Sequence, residues 1–218
     1  MIPTVLRKIE GHLKNYDLKL SHGDDARIDS ARSETAVISA LQNTLTEDWK
    51  IITHNIKHNR HWYDFLCIDN ISKDRFYVDV KISNCRSSDN MNAKKAIYWL
   101  LTGDDNTGKV PDQNSQFFKL LREKENLDKR DFYYLIVNKT DLKDIFMVSL
   151  RNINSRGVTG SHNNPPLQAR WEHCKTFEQR SMLEAKEFFL SKWAEVVSKN
   201  IQVLQAGMPA HYPEYFGV

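Results

Sequence analysis

The chain is poor in the features that define several large protein classes. Its 218 residues include three cysteines, Cys67, Cys85 and Cys174, far apart and with no Cys-x-x-Cys pair. That usage suits a reducing compartment and argues against a disulfide framework or a structural zinc knuckle. With eight glycines and six prolines, collagen-like and low-complexity classes drop out. No apolar run approaches the roughly 18 residues of a membrane span. The opening MIPTVLRKIEGHL places Lys8, Glu10 and His12 where a signal peptide needs an apolar stretch, so a cytoplasmic location is expected. A large excess of one charge is also missing. The formal net charge is +3, which permits nucleic-acid binding without demanding it.

What remains is an ordinary globular composition. Hydrophobic residues make up 40% and charged residues 27%, with a mean hydropathy of −0.58. A chain of this length buries roughly 70% of its unfolded surface, enough to fold without disulfides or metal. A single domain spanning residues 1–218 is expected.

The apolar spacing of Ile2, Val5, Leu6, Ile9 and Leu13 predicts an amphipathic helix over 2–15. A second helix is expected from about Ser33, with Ala36, Val37, Ala40, Leu41 and Leu45 on one face. Strands follow over 49–53, 63–68 and 75–83. The turn-rich DNISKD between the last two predicts an antiparallel hairpin. Helices are expected over 92–102 and 114–126, strands over 132–138 and 145–150, a loop over 152–166 and a strand over 167–173. A long helix over 176–205 ends the pattern, with Phe188, Phe189, Trp193, Val196 and Val197 as core positions. This order predicts an α/β fold, one mixed sheet flanked by helices.

The chemistry concentrates in HWYDFLCIDNISKDRFYVDVKIS. Asp79 and Lys81 are two apart on one strand and share a face, while Phe76, Val78, Val80 and Ile82 make the other face apolar. In a hairpin, Asp64 at the start of the first strand approaches Asp79. Two carboxylates and an ammonium then meet at a strand end, where the two like charges raise each other's ionisation cost. A divalent cation removes the conflict, because Mg²⁺ is held by one or two carboxylates plus phosphate and water oxygens. An Asp-x-Lys pair is also common as a solvated ion pair on an outer strand, and Asp69 or Asp74 are alternatives for the first acid.

Asp64, a strand–turn–strand, then Asp79-Val80-Lys81 resembles the PD-(D/E)xK nuclease motif, with Tyr63 in place of the proline. The C-terminal third, a Gly/Ser/Asn-rich loop, NPPLQARWEHC and FEQRSMLEAKEFFLSKWAEVV, is similar to type II restriction endonucleases of the EcoRV, HincII and SwaI branch. The resemblance covers roughly residues 30–200. It implies a restriction-endonuclease-like fold with Asp64, Asp79, Lys81 and Glu34 as catalytic residues. Asp64, Asp79 and Glu34 would ligate Mg²⁺, one or two ions per subunit, with Mn²⁺ able to substitute. It further implies a prokaryotic homodimer that cuts both strands of double-stranded DNA at a short palindrome, with blunt ends. A DNA methyltransferase would belong to the same restriction-modification system. The helices of the first 45 residues are candidates for the dimer contact. A repair or junction-resolving nuclease of the same fold, and a DNA-binding module without catalysis, are the alternatives.

Three segments are candidates for DNA contact. The first, near 154–170, supplies base-edge donors and acceptors from Asn154, Arg156, Thr159, Ser161, His162, Asn163, Asn164 and Gln168, with Gly157 and Gly160 allowing close backbone approach to the duplex. The second, HNIKHNRH at 54–61, offers Asn55, Lys57, Asn59 and Arg60. Its His54, His58 and His61 could instead bind zinc, but neither a cysteine nor a fourth ligand stands nearby. The third, near 84–95, offers Asn84, Arg86, Ser87, Asn90, Asn92 and Lys94.

Overall fold

The computed structural model describes residues 1–21, 26–44, 46–53, 63–91, 93–104, 114–124, 130–160 and 167–206. In chain order the elements are α1 (Thr4–Asn15), α2 (Ala26–Gln42), β1 (Trp49–Thr53), β2 (Phe65–Asp69), β3 (Arg75–Ser83), β4 (Asp89–Asn90), α3 (Ala93–Thr102), α4 (Asn114–Glu123), β5 (Phe132–Asn138), β6 (Ile145–Ser149), β7 (Val158–Gly160), β8 (Leu167–Ala169) and α5 (Met182–Ala206). They form an α/β domain with a mixed five-stranded sheet and a small three-stranded one. Among the described residues no helix is long and apolar enough to cross a membrane.

The large sheet has the order β1-β2-β3-β5-β6. Strands β1, β2 and β3 form an antiparallel meander, β5 runs parallel to β3, and β6 returns antiparallel. A parallel pair needs a long crossover, and α3 and α4 lie within it. The β2–β3 hairpin closes as DNISKD predicts. Asp69 accepts from Ile71 and Ser72 N–H through its Oδ1 and donates its own N–H to Asp74 O. Lys73 takes the left-handed conformation (φ 64°) that the tight turn imposes.

Side-chain alternation gives the sheet two apolar faces. Val78 and Val80 of β3 join Phe65, Cys67, Leu135 and Val137 against α1 and α2, which bury Val5, Leu6, Ile9, Leu13, Val37 and Leu41 there. On the other face Phe132, Tyr134 and Ile136 pack with Trp99, Phe117, Trp171, Phe189 and Trp193 from α3, α4 and α5 and the segment after β8. Each fully buried side chain of this size contributes about 1.5–3 kcal/mol.

Four elements differ most from expectation. Helix α2 begins at Ala26 rather than near Ser33, because its first turns are polar and carry no apolar periodicity. Helix α5 begins at Met182 rather than near 176. Ser181 Oγ accepts from Glu184 N–H while Glu184 Oε2 accepts from Ser181 N–H, a capping box that starts the helix there. The stretch expected as a loop over 152–166 contains a 3-10 turn (Ser155–Gly157) and β7. The strand expected over 167–173 stops at Ala169 and gives way to a 3-10 turn over Trp171–Lys175. Phe189, Trp193 and Val196 are buried as expected, but Val197 is 44% exposed, and Phe188 lies under the Arg180 guanidinium at 4.2 Å.

The two glycines expected to allow close backbone approach to the duplex make a close approach within the protein on their Cα side. A Cβ on Gly157 would lie 2.4 Å from Cys174 Sγ, and one on Gly160 would lie 2.4 Å from Val196 Cγ2 of α5. They let β7 and its preceding turn sit directly on the C-terminal elements. Gly160→Ala therefore overpacks this contact and lowers stability by about 1–3 kcal/mol, read as a fall in thermal midpoint. An unchanged midpoint would contradict the close approach.

Candidate active site

The site lies where β2 begins and β3 nears its end. Tyr63, which stands where the resembling motif has proline, packs edge-on against Tyr77 (ring centroids 4.8 Å apart). Tyr77 in turn packs edge-on against Trp99 at 4.8 Å. This aromatic chain holds the backbone entering β2 by packing, in place of the fixed φ of proline. Asp64 then donates its N–H to Val78 O at 2.9 Å. Its Oδ2 accepts from Val80 N–H at 2.5 Å. The two bonds bracket Asp79, so the carboxylates of Asp64 and Asp79 meet on one face of the sheet.

Asp79 is buried, with 4% of its surface exposed. Lys81 shares its face and places Nζ 2.5 Å from Asp79 Oδ2, its side chain 21% exposed. The contact is one of proximity rather than direction, because Asp79 Oδ2 has no oriented hydrogen-bond donor among the described residues. Tyr134 is the register partner of Asp79 across the parallel β3–β5 pair. Its buried hydroxyl also lacks a hydrogen-bond partner among the described residues.

The electrostatics follow from this geometry. Burial, then the adjacent Asp79 charge, push the Asp64 carboxyl up to about 8. The Val80 N–H and the Lys81 ammonium pull the other way, and Glu34 adds a smaller upward push. Burial opposes the charge on Lys81, but Asp79, Asp64 and Glu34 together outweigh it, so its ammonium is held above its ordinary range. Burial, then Asp79, raise the Tyr134 phenol as well. Three carboxylates thus share one ammonium.

Asp64, Asp79 and Lys81 are brought together as the sequence predicts. Glu34 falls in the interior of α2 rather than at its start, and its charge is felt at both Asp64 and Lys81. Among the described residues no three His, Cys, Asp or Glu side chains are gathered tightly enough to hold a metal ion. Glu34 is close enough to the aspartate pair for its charge to act on Asp64 and Lys81. The aspartate pair fits Mg²⁺, which needs only one or two carboxylates and takes its other oxygens from water or phosphate.

The DNA-contact candidates divide into two groups. Asn55, Lys57, Asn59, Arg60, Asn92, Ser161, His162, Asn163 and Asn164 lie outside the described residues, as do His54, His58 and His61. The rest are placed. Asn84 Oδ1 accepts from Arg86 N–H, Ser87 N–H and Ser87 Oγ, a turn that leaves Arg86 and Ser87 exposed. Lys94 holds its ammonium 5.3 Å from the centre of the Phe117 ring. Asn154 caps the following 3-10 turn by accepting from Arg156 N–H and donates to Thr176 Oγ1, while Arg156 is exposed. Asn90, Thr159 and Gln168 sit together on the small sheet.

Sequence reasoning passed over Tyr134 and Arg170. Tyr134 reaches Asp79 only through a parallel pairing of distant segments, which leaves no local signal. Arg170 is exposed and bonds Ser88 Oγ at 3.4 Å; its place at the end of the expected contact segment was the available clue.

The raised Asp64 carboxyl makes stability depend on pH. Unfolded, the group titrates near 3.8; folded, it titrates near 8, so the folded state binds the proton more tightly. Its stabilising contribution is complete below about pH 4 and is lost as pH rises through 8. In EDTA the thermal midpoint should fall between pH 5 and pH 9. Asp64→Asn, which keeps an acceptor for Val80 N–H and removes the charge, should flatten that fall, and Mg²⁺ should raise the wild-type midpoint at pH 8. Identical pH profiles for wild type and variant would contradict this assignment.

No protein-family model matches the chain, and no curated protein shows significant similarity to it.

Proposed function

We propose that the chain is a Mg²⁺-dependent endonuclease that hydrolyses phosphodiester bonds in double-stranded DNA. The observation that carries this reading is the convergence of Asp64 and Asp79 at one strand end with a single ammonium, Lys81, to balance them. Two buried like charges oppose folding. Their retention makes sense where a cation and a phosphate complete the site.

Asp64 and Asp79 would hold the ion, which when bound supplies positive charge to polarise the phosphodiester and acidify a water. The remaining work falls to the chain. Lys81 stays protonated beside Asp79 and offers donors to the attacking water or to the negative charge on the phosphoryl oxygens. The Val80 N–H fixes the Asp64 carboxylate through Oδ2. Trp99, Tyr77 and Tyr63 hold that end of the sheet rigid.

The resemblance set out above extends the reading to a type II restriction endonuclease. Such an enzyme works as a homodimer on a short palindrome, because a two-fold sequence matches a two-fold protein. It leaves blunt ends, accepts Mn²⁺ in place of Mg²⁺ and acts beside a cognate methyltransferase.

Purified protein with Mg²⁺ should cut phage DNA into discrete bands. Asp79→Ala and Lys81→Ala should each reduce the rate by about 10²–10³-fold or more while far-ultraviolet circular dichroism stays native. Sequencing the fragment ends reads the site and the end type together. Full activity in both variants would overturn the site. Nicking confined to branched or mismatched DNA would move the reading to a repair nuclease, and tight binding in Ca²⁺ with no cutting in Mg²⁺ would leave a DNA-binding module.

A further inference from the structure

The small sheet joins two segments that are far apart in the chain. Strand β4 follows the catalytic strand, and β7 and β8 belong to the C-terminal third; the strand order is β4-β8-β7. Directly opposed residues of antiparallel strands share a face. Asp89, Ala169 and Val158 oppose one another, as do Asn90, Gln168 and Thr159. Val158, Leu167 and Ala169 are buried in the core with Trp171 and Phe189. The Asp89 carboxylate is on that same inner face, with Oδ2 buried. Asn90, Gln168 and Thr159 therefore form a row on the outer face, with Asn90 exposed and the other two half-buried.

Within that row Gln168 Nε2 donates to Asn90 Oδ1 at 2.9 Å. The bond sets both amides. Gln168 keeps Oε1 as an acceptor, and Asn90 keeps the two donors of Nδ2. One acceptor and one donor, held side by side by a cross-strand bond, match the pattern that an adenine edge presents through N6 and N7. Three arginines, Arg86, Arg156 and Arg170, are exposed on the flanking segments. Glu172 is exposed there too and Glu178 feels the Arg156 charge, while the carboxylate of β4 is turned inward.

We propose that Asn90 and Gln168 act as one base-reading unit on double-stranded DNA, each amide oriented by the other, so that they specify a single position of the site. This rests on the DNA-directed reading above and adds to it which side chains read a base and that they do so jointly. A lone amide on a solvated surface rotates freely; the bonded pair presents a fixed pattern to the groove and loses less entropy on binding.

The test is selection of bound duplexes from a randomised library by the full chain in Ca²⁺, repeated with Asn90→Ala, Gln168→Ala and the double variant. Gln168→Glu, which keeps the size and removes the Nε2 donor, is the fourth variant. All four changes are on a surface, and thermal melts verify that the fold is kept. The expected result is loss of about 10- to 100-fold in discrimination at the same base position in both single variants, with the double variant no worse than either. Gln168→Glu should relax or alter the choice at that position alone. Unchanged selected sequences, losses at two different positions, or additive losses would overturn the joint unit and leave the nuclease reading standing. A wild-type chain that selects a sequence but never cuts with Mg²⁺ would remove the nuclease reading and leave the unit standing. A wild-type chain that binds no duplex would overturn the unit.

Discussion

Two aspartates are held together at the end of a buried hairpin, and the rest of the site is arranged around that repulsion. Asp64 is tied by backbone and side chain to either side of Asp79. Asp64 cannot swing away without breaking a hydrogen bond to β3. The partial remedy is Lys81, against Asp79 Oδ2. It leaves Asp64 strongly perturbed and its carboxyl disposed to keep a proton near neutral pH. A protein under selection for stability alone has simpler choices at these positions, since a buried charge without full compensation is among the largest destabilising features of a fold. Perturbed carboxylates in a cluster point to function for this reason.

The fold serves to hold that cluster in place. The sheet is packed on both faces, with α1 and α2 on one side and α3, α4 and α5 on the other. Packing on both sides gives β3 little freedom to move, so the spacing of Asp79 and Lys81 is set by the strand. The chain leaves β3 at Ser83 and passes through Cys85, whose φ of 62° is a left-handed conformation uncommon outside glycine. That bend carries the polypeptide from β3 to the small sheet within a few residues. It couples the position of Asn90 to that of Lys81 through a short covalent path.

Much of this was legible in the sequence, and the reasons are specific. The alternation Phe76, Val78, Val80, Ile82 against Tyr77, Asp79, Lys81 gives β3 its limits and its faces, because a period of two is a local property. DNISKD places the hairpin, and the hairpin brings Asp64 to Asp79. The capping box at Ser181 and Glu184 was also present to be read, but the apolar run behind it drew the expected helix start too far upstream. The small sheet could not be read. Strands of two or three residues carry no periodicity, and their pairing depends on a core of Trp171, Val158 and Leu167 that no local pattern announces. Tyr134 was hidden for the same reason, since its place beside Asp79 depends on how β5 registers against β3. Gly157 and Gly160 were visible as permissive residues, but whether duplex or protein fills the space beside a glycine is a tertiary fact.

The central claim is that the aspartate pair is a cation site. The most direct measurement is an anomalous difference map from crystals soaked in Mn²⁺ and recorded at the manganese edge. The account predicts a peak shared by the carboxylates of Asp64 and Asp79 and abolished in Asp79→Ala. Strong peaks elsewhere with none between these two side chains would contradict it.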